Sequence, residues 1–184
     1  MGAGAIAKAR PRELNYFSSG VGTGTHLAAE IFDQMAGIRT THVPYKGAGQ
    51  AISDLLAGQM QFAFTTTQIA LPHVSVGKLR MLGIGSVTRF PRLPELPTIA
   101  ESGVKGYEAE QWYGVIAPRG TPPAIVNKLA LELKTIVASG DVRERFLSQG
   151  ITPVSSTPEQ FAATIRDNVA KFGRVVKALN LKVE

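Results

Sequence analysis

Apolar residues along the chain switch between two periods. Leu14–Phe17 reads as a short strand, and Leu27, Ile31, Phe32 and Met35 then repeat at helical spacing, predicting a helix over 24–35. Thr40–Pro44 predicts a second strand, and Ala48–Leu56 a second helix with Ala51, Ile52, Leu55 and Leu56 on one face and Gly58 as its C-cap. Gln61–Phe64 predicts a third strand, and Gln68–Val76 a short helix containing Pro72 and closed by Gly77. Leu79–Gly85 predicts a fourth strand. Strands alternating with helices imply an α/β three-layer sandwich, with a mainly parallel sheet covered on both faces.

The pattern changes after residue 85. Pro91, Pro94 and Pro97 fall at three-residue spacing and predict a stiff, extended connection. A short helix is expected at Ile99–Ser102 and a strand at Glu110–Ala117, which carries the only Trp. The last third reads as helical. Thr121-Pro122 predicts an N-cap with Pro at N1, and Ile125, Val126, Leu129, Leu133, Ile136 and Val137 line one face before Gly140 ends the helix. Asp141 opens a short helix ending at Gly150. Thr157-Pro158-Glu159-Gln160 is a capping box that opens a long helix with Phe161, Ile165, Val169, Phe172, Val176 and Leu179 on its face. Residues 1–13 read as the tail of a helix entering Leu14, and the helical third asks for a sheet that residues 14–117 do not supply. The chain therefore reads as part of something longer.

Composition narrows the classes. A chain of 184 residues buries a real core and holds one or two domains. No apolar run approaches the roughly 18–20 residues of a membrane-spanning helix. Met1–Ala9 is too short and too weakly patterned for a secretory signal, so the protein either stays in the cytoplasm or has lost its signal. With no Cys, the chain forms no disulfide, thiolate metal site or cysteine nucleophile. The net charge of +6 comes from scattered Lys and Arg without interleaved aromatics, which argues against nucleic acid and for small anions.

Ser18-Ser19-Gly20-Val21-Gly22-Thr23-Gly24-Thr25-His26 lies between the first strand and the first helix. Glycines let a ligand approach the backbone, hydroxyls donate, and a helix N-terminus carries free N–H groups and a partial positive charge. The expected donors for an anion are the hydroxyls of Ser18, Ser19 and Thr23 with the amides of Gly20 to Thr25. The same residues would also make a tight turn with a helix N-cap. Gly20-x-Gly22-x-Gly24 does not have dinucleotide-loop spacing, because Thr25 stands where the third glycine belongs. No acid follows about 20 residues on, only Thr41-His42-Val43. No nucleophile elbow, Walker loop or paired catalytic carboxylates are found. His26, His42 and His73 lack metal spacing and read as structural, with His26 nearest the loop.

An ordered set of segments runs through the chain. It includes Asn15-Tyr16-Phe17-Ser18-Ser19-Gly20, Gly22-Thr23, His26-Leu27-Ala28, His42-Val43-Pro44-Tyr45-Lys46-Gly47 and Asp54-Leu55-Leu56-Ala57-Gly58-Gln59. It continues with Leu71-Pro72-His73, Gly77-Lys78-Leu79-Arg80, Leu96-Pro97-Thr98-Ile99-Ala100-Glu101, Gly106-Tyr107-Glu108, Trp112-Tyr113-Gly114, Ala117-Pro118 and Gly120-Thr121-Pro122. From about residue 7 onward the chain resembles the substrate-binding proteins of tripartite tricarboxylate transporters, also called Bug proteins. The resemblance implies a type II periplasmic-binding architecture of two lobes around a cleft. Family members are roughly double this length, and the chain resembles their second part. Residues 1–108 correspond to the second, ligand-binding lobe, and 109–184 to a crossover strand and a helical segment returning to the first lobe.

The implied function is that of an extracytoplasmic receptor, not an enzyme, without cofactor or metal. It would take a small organic anion, a di- or tricarboxylate or an aromatic acid, to a membrane permease through the full-length protein. The resemblance implies a periplasmic location for the full-length protein, and no signal peptide is expected within this chain. The alternative is a non-binding structural fragment that pairs as a homodimer through its first-lobe-facing surface. The implied ligand residues are Ser18, Ser19, Gly20, Gly22, Thr23 and Thr25, joined by Tyr45, Thr65 and Trp112. Tyr45 would form a cleft wall or stand in an ordinary surface loop; Trp112-Tyr113 would form an aromatic wall of the cleft, or the lone Trp would be core. Many family members carry an acid where Thr65 stands, so a ligand without an ammonium group is expected here; the plain reading of Thr65–Thr67 is a helix N-cap. With only one lobe, weak or undetectable binding is expected.

Overall fold

The computed structural model describes residues 7–180. The start of the expected leading helix and the outer ends of the two expected segments lie outside the described residues. The first half alternates strand and helix: β1 Asn15–Ser18, α1 Gly24–Ala36, β2 Thr41–Pro44, α2 Ala48–Leu56, β3 Phe62–Ala63 and α3 Thr67–Ser75. The strands form one parallel sheet in the order β2-β1-β3.

Side-chain alternation along β1 decides what each face meets. Tyr16 lies in register with His42 and Phe62. It stacks on the His42 ring, and its hydroxyl donates to Glu30 of α1 at 2.7 Å. Phe17 points to the opposite face and packs with Ala51 and Ile52 of α2, joined by Ile69 of α3. Helices therefore cover both faces, as the strand–helix alternation predicts. Gly37 closes α1 in the left-handed conformation (φ 63°). The Asp33 carboxylate then accepts from the Thr40 amide and hydroxyl at 2.7 and 2.8 Å, fixing the entry into β2.

Residues 79–85 do not form the expected fourth strand. Their backbone is taken by a non-local partner, the proline-rich segment that returns beside them. Ile84 pairs with Thr98 in a single parallel bridge. The Ile84 amide donates to Pro97 at 3.0 Å, the Ile99 amide to Ile84 at 2.9 Å, and the Ala109 amide to Gly85 at 2.9 Å. Residues 99–102 make turns rather than a helix. Thr98 and Glu101 cap each other reciprocally there (2.7 and 3.0 Å), and Arg89 grips the Glu101 carboxylate at 2.9 Å. Residues 110–117 run extended, but no described strand offers them a ladder.

The last third forms α4 Pro123–Ala138, α5 Gly140–Ser148 and α6 Pro158–Ala178. α4 starts one residue later than expected. A residue before proline avoids helical backbone, so Pro122, which precedes Pro123, stays extended as the cap (ψ 138°). Gly140 opens α5 instead of closing α4, because Ser139 serves as cap for both helices. The Thr157–Gln160 capping box is present, with both reciprocal bonds made (2.9 and 3.2 Å). α6 lies against α1, yet neither α4 nor α6 contains a fully buried residue. Ile125, Leu129, Leu131, Ile136 and Val169 stand exposed.

Tyr107 ties the irregular segment to the sheet layer. It is buried against Phe32 and Phe64, and its hydroxyl donates to the Ala28 carbonyl at 2.9 Å. Tyr107→Phe is expected to lower stability by about 1 kcal/mol, and Tyr107→Ala by roughly 3–5 kcal/mol, in urea denaturation. Equal effects of the two variants would show that the hydroxyl, not the ring, carries the anchor.

Candidate functional site

The loop between β1 and α1 sits at the carboxyl edge of the parallel sheet, where ligands of such sheets collect. Its internal bonding is dense. The Ser19 amide donates to Thr25 Oγ1 (3.0 Å), the Gly20 amide to Ser18 Oγ (3.1 Å), and the Gly22 amide to His26 Nδ1 (3.1 Å). The Thr23 amide and hydroxyl both donate to the Gly20 carbonyl (3.3 and 2.7 Å). Gly20 and Gly22 adopt positive φ (139° and 76°), which L side chains rarely reach.

These bonds change which groups are open to a ligand. Three of the loop amides expected to form a cradle, those of Gly20, Gly22 and Thr23, are already satisfied by the loop itself, as is that of Ser19. The open donors lie one turn further on. Thr23 stands at the N-cap of α1, but its side chain makes no capping bond to the first-turn amides. Among the described residues, no acceptor meets the amides of Gly24, Thr25 and His26. The N-terminus of α1 is thus left uncapped, with its partial positive charge unanswered.

Gly24 and Thr25 line a cleft of about 290 Å³ together with Ser19 and Thr23. The opposite walls come from Thr66, Gln68 and Ile69 at the start of α3, and from Gln111 and Tyr113. Gly24 matters by lacking a side chain: a Cβ there would lie 3.0 Å from the Gln111 amide nitrogen. Every residue lining the cleft is uncharged, so an anion would meet neutral donors and a helix terminus rather than an ion pair.

The expected site residues divide accordingly. Ser19, Thr23 and Thr25 line the cleft; among the described residues the Ser19 hydroxyl has no partner, while that of Thr23 donates to Gly20 and lies 3.1 Å from Thr25 Oγ1. Gly20 and Gly22 shape the loop beneath. Ser18 is fully buried, bonded to Gly20 and 2.6 Å from His42 Nε2. Tyr45 faces the α2 side, where it packs on Phe17 and donates to Asp54 at 2.6 Å. The Thr65 hydroxyl is buried and finds no partner among the described residues, next to cleft-lining Thr66. Trp112 turns away and packs edge-on against Phe161, at a place where any side chain on Gly114 would run into that ring.

Gln111, Gln68 and Ile69 are cleft residues that sequence reasoning missed, whereas Tyr113 and Thr66 fall in the Trp112-Tyr113 and Thr65–Thr67 segments it singled out. The signal for Gln111 was the extended pattern itself. Successive residues of an extended segment face opposite ways, so Gln111 and Tyr113 share the side that Trp112 does not.

Under the loop lies a stack of three rings. His26 lies on His42 with centroids 4.0 Å apart, and His42 lies on Tyr16 at 5.0 Å. Burial holds the His26 imidazole below its ordinary range, against the opposing pull of Glu30. Burial and the neighbouring His26 together push His42 down to about 4. Both rings are therefore neutral near pH 7. Among the described residues, no group of three His, Cys, Asp or Glu is placed to hold a metal. A larger groove of about 530 Å³ runs along α6, but its Lys171 is already 3.4 Å from Glu108 and its walls carry both signs of charge.

The described residues thus combine a parallel α/β sheet with an uncharged, donor-lined cleft at its carboxyl edge. The chain belongs to the tripartite tricarboxylate transporter family receptors, whose family model matches residues 4–181. It is 36% identical to BugT of Bordetella pertussis, over 98% of this chain and 55% of BugT. A Rhodopseudomonas palustris protein solved with adipate matches with a TM-score of 0.86 and 34% identity, over 95% of this chain and 58% of that one. MatC of Rhodopseudomonas palustris with bound malate matches with a TM-score of 0.78 and 28% identity, over 94% and 60% of the two chains. The chain spans about half the length of the relatives it matches. The family is one of transport receptors, not of enzymes.

The buried imidazoles give stability a pH dependence of fixed sign. The unfolded chain protonates His42 near 6.5, and the folded chain only near 4. In that window the unfolded state binds the extra proton, so stability falls as pH drops through it and is fully present above it. Asp33, whose carboxyl is pushed up by burial, contributes with the opposite sign. Urea midpoints across this window are expected to decline for the wild type and to decline less for His42→Phe. Parallel profiles would contradict the assignment.

Proposed function

We propose that the chain is the ligand-binding part of a periplasmic receptor for a small organic di- or tricarboxylate without an ammonium group. Residues 1–108 are its binding lobe, and 109–184 the crossover and helical segment that returns toward a first lobe. The observation that carries this reading is the uncapped N-terminus of α1 opening into the cleft. One carboxylate of the ligand takes the amides of Gly24 and Thr25 and the hydroxyl of Ser19. The far end of the ligand lies toward Gln111 and Tyr113. Relatives solved with adipate and malate support a carboxylate. Thr65, next to the cleft wall, offers no negative charge to an ammonium group.

Each charge-assisted bond contributes about 1.5–3 kcal/mol, and association costs on the order of 4–15 kcal/mol. One lobe alone is therefore expected to bind on the order of millimolar. Contacts from a second lobe exist only in the closed state, so closure is driven by ligand and presents it to a membrane permease through the full-length protein. A second reading concerns the exposed apolar residues of α4 and α6, through which two copies of this chain would pair. Sedimentation equilibrium at twice the monomer mass supports that pairing, and a clean monomer removes it.

The test of binding is an amide-resolved NMR titration with adipate and malate, and with aspartate as the ammonium-bearing comparison. Shifts are expected at Gly24, Thr25 and Gln111, with Ser19→Ala weakening binding roughly tenfold. No shift at Gly24 and Thr25, or aspartate binding as well as malate, would overturn the reading.

A further inference from the structure

We propose that His26 and His42 are a pair of positioning residues for the anion loop: their stacked rings hold the Gly20 and Gly22 amides inward, leaving the first turn of α1 as the open donor set. The inference rests on the carboxylate reading for its purpose, but its geometry stands in the ligand-free protein.

The first link is direct. His26 Nδ1 accepts from the Gly22 amide at 3.1 Å, four residues back and across the start of its own helix. This fixes the tautomer. The lone pair sits on Nδ1 and the proton on Nε2, which faces Glu30 Oε1 at 3.7 Å. A protonated ring would present an N–H to the Gly22 N–H, and the bond would be lost.

The second link passes through Ser18. His42 Nε2 lies 2.6 Å from Ser18 Oγ, and that oxygen receives the Gly20 amide at 3.1 Å. Both histidines thus hold a loop amide, one directly and one through a buried serine. The rings stack at 4.0 Å and 18°, and Tyr16 closes the stack from β1. Tyr16 in turn donates to Glu30, the same carboxylate that His26 faces. The titratable groups meeting the pair are Glu30 on α1 and Tyr16 on β1, with each histidine meeting the other.

The arrangement explains the missing cap on α1. A helix N-cap side-chain oxygen ordinarily accepts from the first-turn amides. Here the Thr23 hydroxyl is turned toward its own loop, donating to Gly20 and lying 3.1 Å from Thr25 Oγ1, and His26 holds Gly22 away from the helix end. The helix is held open by partners that satisfy the loop instead of the helix.

Two variants separate the acceptor from the ring. His26→Phe keeps an aromatic ring in the stack and removes the acceptor, and His26→Asn keeps an acceptor near the Nδ1 position. In ligand-free protein, Gly22 amide exchange is expected to speed up roughly tenfold in the Phe variant and to return toward wild type in the Asn variant. Adipate affinity follows the same order. Unchanged Gly22 exchange in the Phe variant overturns the proposal, and so does an Asn variant that fails to restore it. If the Phe variant does not fold, the wild type decides. Scalar coupling across the Gly22 N–H to His26 Nδ1 bond supports the proposal, and a proton resident on Nδ1 overturns it. If wild-type Gly22 behaves as stated while adipate leaves Gly24 and Thr25 unmoved, the carboxylate reading fails and the positioning role survives.

Discussion

The site depends on how the amides between β1 and α1 are shared out. A loop of glycines and hydroxyls has more donors than it can leave free without losing its shape. Here the loop satisfies Ser19, Gly20, Gly22 and Thr23 from within, and leaves the first turn of α1 without partners. The rigid part of the loop and the open part are therefore different residues. A backbone fixed before a ligand arrives costs the ligand less ordering entropy, which favours neutral donors over long charged side chains.

The rest of the lobe supports that one helix terminus. α1 is fixed at its far end by Asp33 gripping Thr40, and along its length by Glu30 receiving Tyr16. Tyr107, reaching the Ala28 carbonyl, brings the irregular segment across the end of the sheet so that Gln111 and Tyr113 face the helix terminus. The side-chain absence at Gly24 makes room for Gln111. Packing and polar bonding thus converge on the same small cleft from elements far apart in sequence.

Much of this was legible in the chain. The change from period two to period three-and-a-half across residues 14–35 locates the loop, and short-range signals such as the Thr157–Gln160 capping box place helix starts well. What was not legible is non-local. Residues 79–85 have the composition of a strand, but their partner is the proline-rich segment beyond residue 96, which no local pattern announces. Ser18 reads as a free hydroxyl until His42, from another strand, is seen beside it. The histidines read as structural, and geometry alone connects them to the loop.

The most direct test is a crystal structure of the protein with adipate. A carboxylate within hydrogen-bonding distance of the Gly24 and Thr25 amides and Ser19 Oγ, with the Gly20 and Gly22 bonds unbroken, is the predicted result. Adipate seated instead in the groove along α6 beside Lys171 and Arg174, or a loop that releases Gly20 and Gly22 to reach it, would contradict the account.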